Sequence, residues 1–136
     1  MIKKLFLFVC IFFSVTAFSQ TPYEPLKGSP ERKEILDIFR KDCEDKCQFK
    51  VHHFLINNGW ACANVTPLLN GEEYAEPRWG LFRKTNGSWK QVNWSNGVEV
   101  KNDFELIEIP IQNSRIAKII VKKYPGCPMN IFPRKY

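Results

Sequence analysis

Four Asn-Gly dipeptides, at 58–59, 70–71, 86–87 and 96–97, punctuate the middle of the chain. Asn and Gly both tolerate positive φ, so Asn-Gly between alternating segments favours a two-residue hairpin turn, which makes its flanks antiparallel neighbours. From Gln48 the side chains alternate with a period of two. Phe49, Val51, His53 and Leu55 are expected to point one way, and Lys50, His52, Phe54 and Ile56 the other. Asn57-Asn58-Gly59 ends this strand, and Trp60 to Thr66 is predicted to return as its partner until Pro67 stops it. Residues 67–77 read as an acidic loop with Glu72, Glu73 and Glu76. Arg78 to Lys84 is a third strand, and Trp89 to Trp94 a fourth across Asn86-Gly87. Val98 to Val100 resumes that strand or adds a short fifth.

Helical signals flank this region. Ser29-Pro30-Glu31 combines a capping hydroxyl, a proline suited to the first turn and an acid that complements the helix dipole. Ile35, Ile38, Phe39 and Cys43 recur at three and four residues, widened by Leu36, which predicts an amphipathic helix over about 30–45. Arg32, Lys33, Arg40, Lys41 and Glu44 fall on the polar face. Residues 103–111 fit strand or helix. Asn113 or Ser114 caps a second helix that buries Ile116, Ile119 and Ile120 and ends near Tyr124, because Pro125-Gly126 cannot continue it. The apolar tail from Cys127 to Pro133 is expected to fold back. Helix, four strands, helix predicts an α+β fold: an N-terminal helix on a four-stranded antiparallel meander with a second, C-terminal helix, in the manner of a cystatin-like or NTF2-like roll.

The N-terminus carries a different signal. Lys3 and Lys4, an apolar run from Leu5 to Phe18, and small residues at Ala17 and Ser19 make the three parts of a secretory signal peptide. The expected organisation is a signal peptide at 1–19, an extended lead-in at 20–28 and one α+β domain at 29–136. The chain is thus expected to be exported, to a periplasm or the exterior, with no transmembrane segment after cleavage. Lipidation at Cys10 is the weaker alternative, since that cysteine sits inside the apolar run. Charge is uneven. Residues 20–110 hold 12 basic and 14 acidic side chains, whereas 111–136 hold six basic and no acidic ones. The C-terminal basic segment could attract a polyanion, although a solvated helix face is the commoner use of such charge.

Cys43, Cys47, Cys62 and Cys127 remain after processing. An even count in an exported domain favours two disulfides, and three pairings are open. Cys43 with Cys47 leaves Cys62 to Cys127; otherwise the first two each reach out, one to Cys62 and one to Cys127. A Cys-x3-Cys with lone partners lacks the paired knuckles of a structural zinc site, so no metal is expected.

Catalytic signatures are sparse. His52 and His53 are adjacent on a strand and face opposite sides, and neither has a motif that supplies a partner; a satisfied core histidine is the default reading of His53. Glu72, Glu73 and Glu76 lack the spacing of a calcium loop. No cofactor is implied, and no glycine-rich phosphate loop is present. Trp89 and Trp94 are five apart and so face opposite sides, which places one on an outer face able to meet a ligand.

The run from Gly28 to Asp37, Gly59-Trp60-Ala61, Gly80 to Lys84, Asn86 to Lys90 and the end from Lys123 to Pro133 together resemble a family of small exported bacterial proteins. That resemblance implies one exported domain; the family has no assigned activity, so it points to no particular catalysis. The chain departs from it in its four cysteines and in Gln91, where the family has an apolar residue. The expected function is a non-enzymatic binding or interaction domain, inhibitor-like or an envelope adaptor, that binds an envelope or extracellular protein or polymer rather than nucleic acid. Its candidate surface is Trp94 with Lys118, Lys122 and Lys123. Two alternatives stand beside it: a small hydrolase or ligand-binding roll using His52 or His53, and a polyanion binder using the basic C-terminal segment.

Overall fold

A computed structural model describes residues 21–43 and 47–135. The signal peptide expected at 1–19 and residue Glu44 lie outside them. The elements in chain order are α1 (Pro30–Arg40), β1 (Gln48–Asn57), β2 (Trp60–Leu69), β3 (Glu72–Glu73), β4 (Arg78–Thr85), β5 (Ser88–Gln91), α2 (Phe104–Ile107) and α3 (Arg115–Lys123), with a 3-10 turn at Met129–Ile131. The fold class is α+β. The antiparallel sheet runs β1-β2-β4-β5, and β3 pairs with the far end of β2.

Asn-Gly chemistry draws the sheet. Asn58-Gly59, Asn70-Gly71 and Asn86-Gly87 each have positive φ at both residues, the backbone of a tight hairpin turn. The middle one corrects the expectation that Pro67 ends the second strand. Pro67 stands opposite Phe49 within the β1–β2 ladder, and its carbonyl accepts from the Tyr74 N–H at 3.4 Å. A residue's N–H and C=O point to the same side of a strand. The missing donor of Pro67 therefore faces the edge between the end of β3 and the start of β4, where no ladder bond needs it.

The sheet is covered on both faces, which refines the picture of a roll around one helix. On one face α1 packs Ile35 and Phe39 against Phe54, Ile56, Ala61, Ala63, Val65, Phe82 and Trp89. On the other, Ile116, Ala117 and Ile120 of α3, with Cys127, Ile131 and Phe132 of the tail, cover Trp60, Cys62, Leu81 and Trp94. Ser29 caps α1 through its side-chain oxygen as expected, and of the two candidates for α3 it is Ser114, not Asn113, that caps the helix. α1 stops at Arg40, earlier than expected. Lys41, Asp42 and Cys43 donate back to Ile38, Phe39 and Arg40, three residues each, so the last turn tightens and Cys43 leaves the buried stripe half-exposed. Arg32, expected on the polar face, is 8 % exposed. Its guanidinium donates to the Pro25 carbonyl at 3.1 Å and lies 5.5 Å from the centre of the Phe54 ring.

β1 corrects the alternation. The register shifts between Val51 and His53, leaving His52 as a bulge. Phe49 and Val51 therefore join Phe54 and Ile56 on the α1 face, while His53 and Leu55 turn to the α3 face. Residues 92–103 form turns and bends rather than the suggested fifth strand, and the ambiguous segment that follows yields only the short helix α2.

Candidate interaction surface

The residues expected to bind do not form one exposed site. Trp94 is 8 % exposed and stacks on Trp79 with ring centres 5.3 Å apart. Trp89 is buried against α1. The two tryptophans do lie on opposite sides of the sheet, as their spacing requires, but each side is roofed, so neither offers an outer face. The structure brings Trp94 and Lys123 together for another purpose. Lys123 Nζ donates to the carbonyls of Trp94 and Asn96, which ties the turn after β5 to the end of α3. Lys118 and Lys122 are exposed, one helical turn apart.

The histidines are both engaged. His52 Nε2 is 2.6 Å from Thr66 Oγ1. His53 Nε2 is 2.6 Å from the Ile131 carbonyl, to which it donates. Burial lowers the His53 pKa below its ordinary value, and the bond to Ile131 opposes that shift only in part. His53 also lines a groove of about 350 Å³ with Gln112, Asn130, Arg134 and Lys135. Neither of these two bonds goes to a carboxylate, so no general-base pair of the kind an acid–base hydrolase needs is assembled by them. The acidic loop becomes β3 and its exit, with Glu73 bridged to Lys50 at 3.2 Å. Among the described residues no group of three or more His, Cys, Asp and Glu is placed to hold a metal ion, and no helix is long and apolar enough to cross a membrane.

The two disulfides expected from the cysteine count are not formed in the structure: Cys43, Cys47, Cys62 and Cys127 are all thiols. Cys62 and Cys127 are buried side by side in the α3-face core. Burial drives the Cys62 pKa well above its ordinary value, with the neighbouring Cys127 adding to it, and pushes that of Cys127 up to about 12.

A surface that the sequence reading missed lies on α2. Phe104, Leu106 and Ile107 are 68, 41 and 59 % exposed. Three of the four residues of one short helix thus present large apolar side chains to water. The other exposed large apolar side chains, Tyr23, Leu26, Leu69 and Tyr74, lie elsewhere along the chain. Local bonds hold α2 in place. Trp79 Nε1 donates to the Leu106 carbonyl at 3.3 Å. Glu105 accepts from the Lys101 N–H, and Arg115 Nη1 donates to both of its carboxylate oxygens at 2.9 and 2.8 Å. The bond from the Lys101 backbone, followed by the Arg115 guanidinium, holds the Glu105 carboxyl below the usual range. Beside α2 runs a groove of about 400 Å³ lined by Phe104, Glu108, Ile109, Pro110 and Ile116. Segment 99–108 carries Glu99, Asp103, Glu105 and Glu108 against the single base Lys101. The signal for this surface was present in sequence. At 3.6 residues per turn Phe104, Leu106 and Ile107 fall within an arc of about 160°, one broad apolar side that the other elements leave uncovered.

Comparison with protein-family models, with curated proteins and with solved structures finds no match.

Proposed function

We propose that the chain is an exported, non-enzymatic interaction domain whose contact surface is α2 and the adjoining groove. Its partner is a protein that presents an apolar strip edged by lysine or arginine. The observation that carries this reading is the exposure of Phe104, Leu106 and Ile107 together on α2. Contiguous apolar groups cost free energy in water and lose that cost when a partner covers them. The choice of a basic-edged partner follows from the carboxylates of Glu99, Asp103 and Glu108 around the patch, since complementary charge favours encounter and register. Lys123, occupied within the fold, is not part of this surface.

The test places a photo-crosslinking phenylalanine analogue at position 104, 118 or 27, one at a time, in cells that produce the full chain. The expected result is a covalent adduct with a second polypeptide from position 104 alone, abolished by Ile107→Asp and unchanged by Lys118→Glu with Lys122→Glu. Adducts from 118 that the two lysine changes remove would transfer the function to the basic segment. Adducts from 104 only to another copy of this chain would show self-association instead.

A further inference from the structure

The four cysteines stand outside that surface, and the sheet sorts them into two couples. Cys62 lies in mid-β2, opposite Leu55 of β1 and Leu81 of β4, on the face that α3 and the tail cover. Cys127 follows Gly126, where an added Cβ would lie 3.6 Å from the Trp60 indole nitrogen. Trp60 is two residues from Cys62 along β2 and on the same face, so the tail lays Cys127 against this stretch of the strand. Both thiols are almost without solvent contact, at 0 and 2 % exposure.

Cys43 and Cys47 belong to the α1 side. Cys43 occupies the turn that closes α1, half-exposed, and Cys47 sits just ahead of β1. The two thiols are hydrogen-bonding neighbours of each other and of the Tyr74 hydroxyl. Cys47 is itself buried, at 2 % exposure, and burial raises its pKa; the charge of Arg40, whose Nε donates to the Cys47 carbonyl at 3.3 Å, offsets that only in part.

We propose that oxidation joins Cys62 to Cys127 and Cys43 to Cys47, the first a buried cross-link between tail and sheet, the second a couple that exchanges with small-molecule disulfides through its partly exposed member, Cys43. Cys43, the more exposed sulfur, attacks. Its thiolate displaces one sulfur of a disulfide R–S–S–R, forming a Cys43–S–S–R bond and releasing RS⁻. The Cys47 thiolate, its proton given to solvent, then attacks the Cys43 sulfur and releases the second RS⁻. Two protein thiols become one disulfide, and the two electrons leave as two reduced thiols. Cys62 and Cys127 take no part in this exchange while the chain is folded, because neither member of that couple is exposed, so no reagent reaches a first sulfur there.

The reduced, folded chain is exposed to oxidised glutathione and quenched with acid at intervals, and tryptic peptides are mapped without reduction. Peptide 42–46 joined to 47–50 is expected first, at least about tenfold faster than 51–78 joined to 124–134, in keeping with the difference in accessibility. Oxidative refolding from denaturant is expected to give both links. In Cys47→Ser, which exchanges one buried sulfur for oxygen outside both core clusters, a glutathione adduct accumulates on Cys43. A link between the couples, a first adduct on Cys62 or Cys127, or no adduct on Cys43 in the Cys47→Ser chain would overturn the proposal.

Discussion

At Gly80 the absence of a side chain is a packing requirement. A Cβ there would stand 2.6 and 2.9 Å from ring carbons of Phe82 and 3.5 Å from the Phe39 ring. Phe82 is fully buried and meets Phe39 edge-on, with ring centres 5.3 Å apart, so its ring has little room to withdraw. Gly80→Ala is expected to destabilise the fold by about 1–3 kcal/mol, the usual cost of forcing extra volume into a packed core; chemical denaturation measures it, and an unchanged midpoint would refute the packing argument. His53 supplies a second prediction at this scale. Its pKa is lowered in the fold by burial, so the unfolded chain takes up the proton more readily than the native one. The imidazole's contribution is therefore fully present above its ordinary pKa of about 6.5 and is lost as pH falls through the lower folded value. Unfolding free energy measured from pH 7.5 down to 5 is expected to decline, and His53→Gln is expected to flatten that slope.

Among elements, β1 shows where reading from sequence reached its limit. The strand, its hairpin and its partner were legible because period-two alternation and Asn-Gly are local signals. The bulge at His52 was not, since nothing in the run from Gln48 to Asn57 marks which residue is the extra one. The pairing partner decides it: the Val51–Val65 and His53–Asn64 pairs put two residues of β1 against one step of β2. Without His52, strict alternation runs Phe49, Val51, Phe54, Ile56, so the deletion would keep all four on the α1 face and remove only the bulge. The deletion is expected to cost little more stability than His52→Ala, since both lose the bond to Thr66 Oγ1 and neither turns a core residue to the other face. A deletion far more damaging than His52→Ala in thermal unfolding would show that the bulge itself, and not only the facing of its neighbours, is required. Caps, by contrast, could be placed to within one residue, Ser29 outright and the second as Asn113 or Ser114. Ser114 Oγ accepts from the Ala117 N–H at 3.3 Å, and Ser114→Ala is expected to cost about 1 kcal/mol, as loss of an N-cap does. The α2 surface escaped the sequence reading for an opposite reason. Its residues look like core, and only the covering of both sheet faces by other elements leaves them outside.

For the molecule as a whole, the layering determines what the cysteines can do to stability. The tail from Cys127 to Phe132 covers one sheet face, held by the packing of Ile131 and Phe132, the His53 bond to the Ile131 carbonyl, and the bond from Gln112 N to the Pro133 carbonyl at 2.7 Å. Joining Cys62 to Cys127 would close a long loop containing β3, β4, β5, α2 and α3, whereas Cys43 to Cys47 closes a very short one. In the chain-entropy model those closures are worth about 4 and about 2 kcal/mol, and the strain of fitting each bond to the native backbone subtracts from them. The α3 face should accommodate its cross-link with less strain, since Cys127 already lies against β2 in the thiol form. Reducing the fully oxidised chain is therefore expected to lower the denaturation midpoint chiefly through the loss of Cys62–Cys127, and Cys43→Ser with Cys47→Ser is expected to retain most of the oxidised stability. If that double variant instead unfolds like the fully reduced chain, the tail is not what the cross-link secures, and the stabilising bond lies at the C-terminal end of α1.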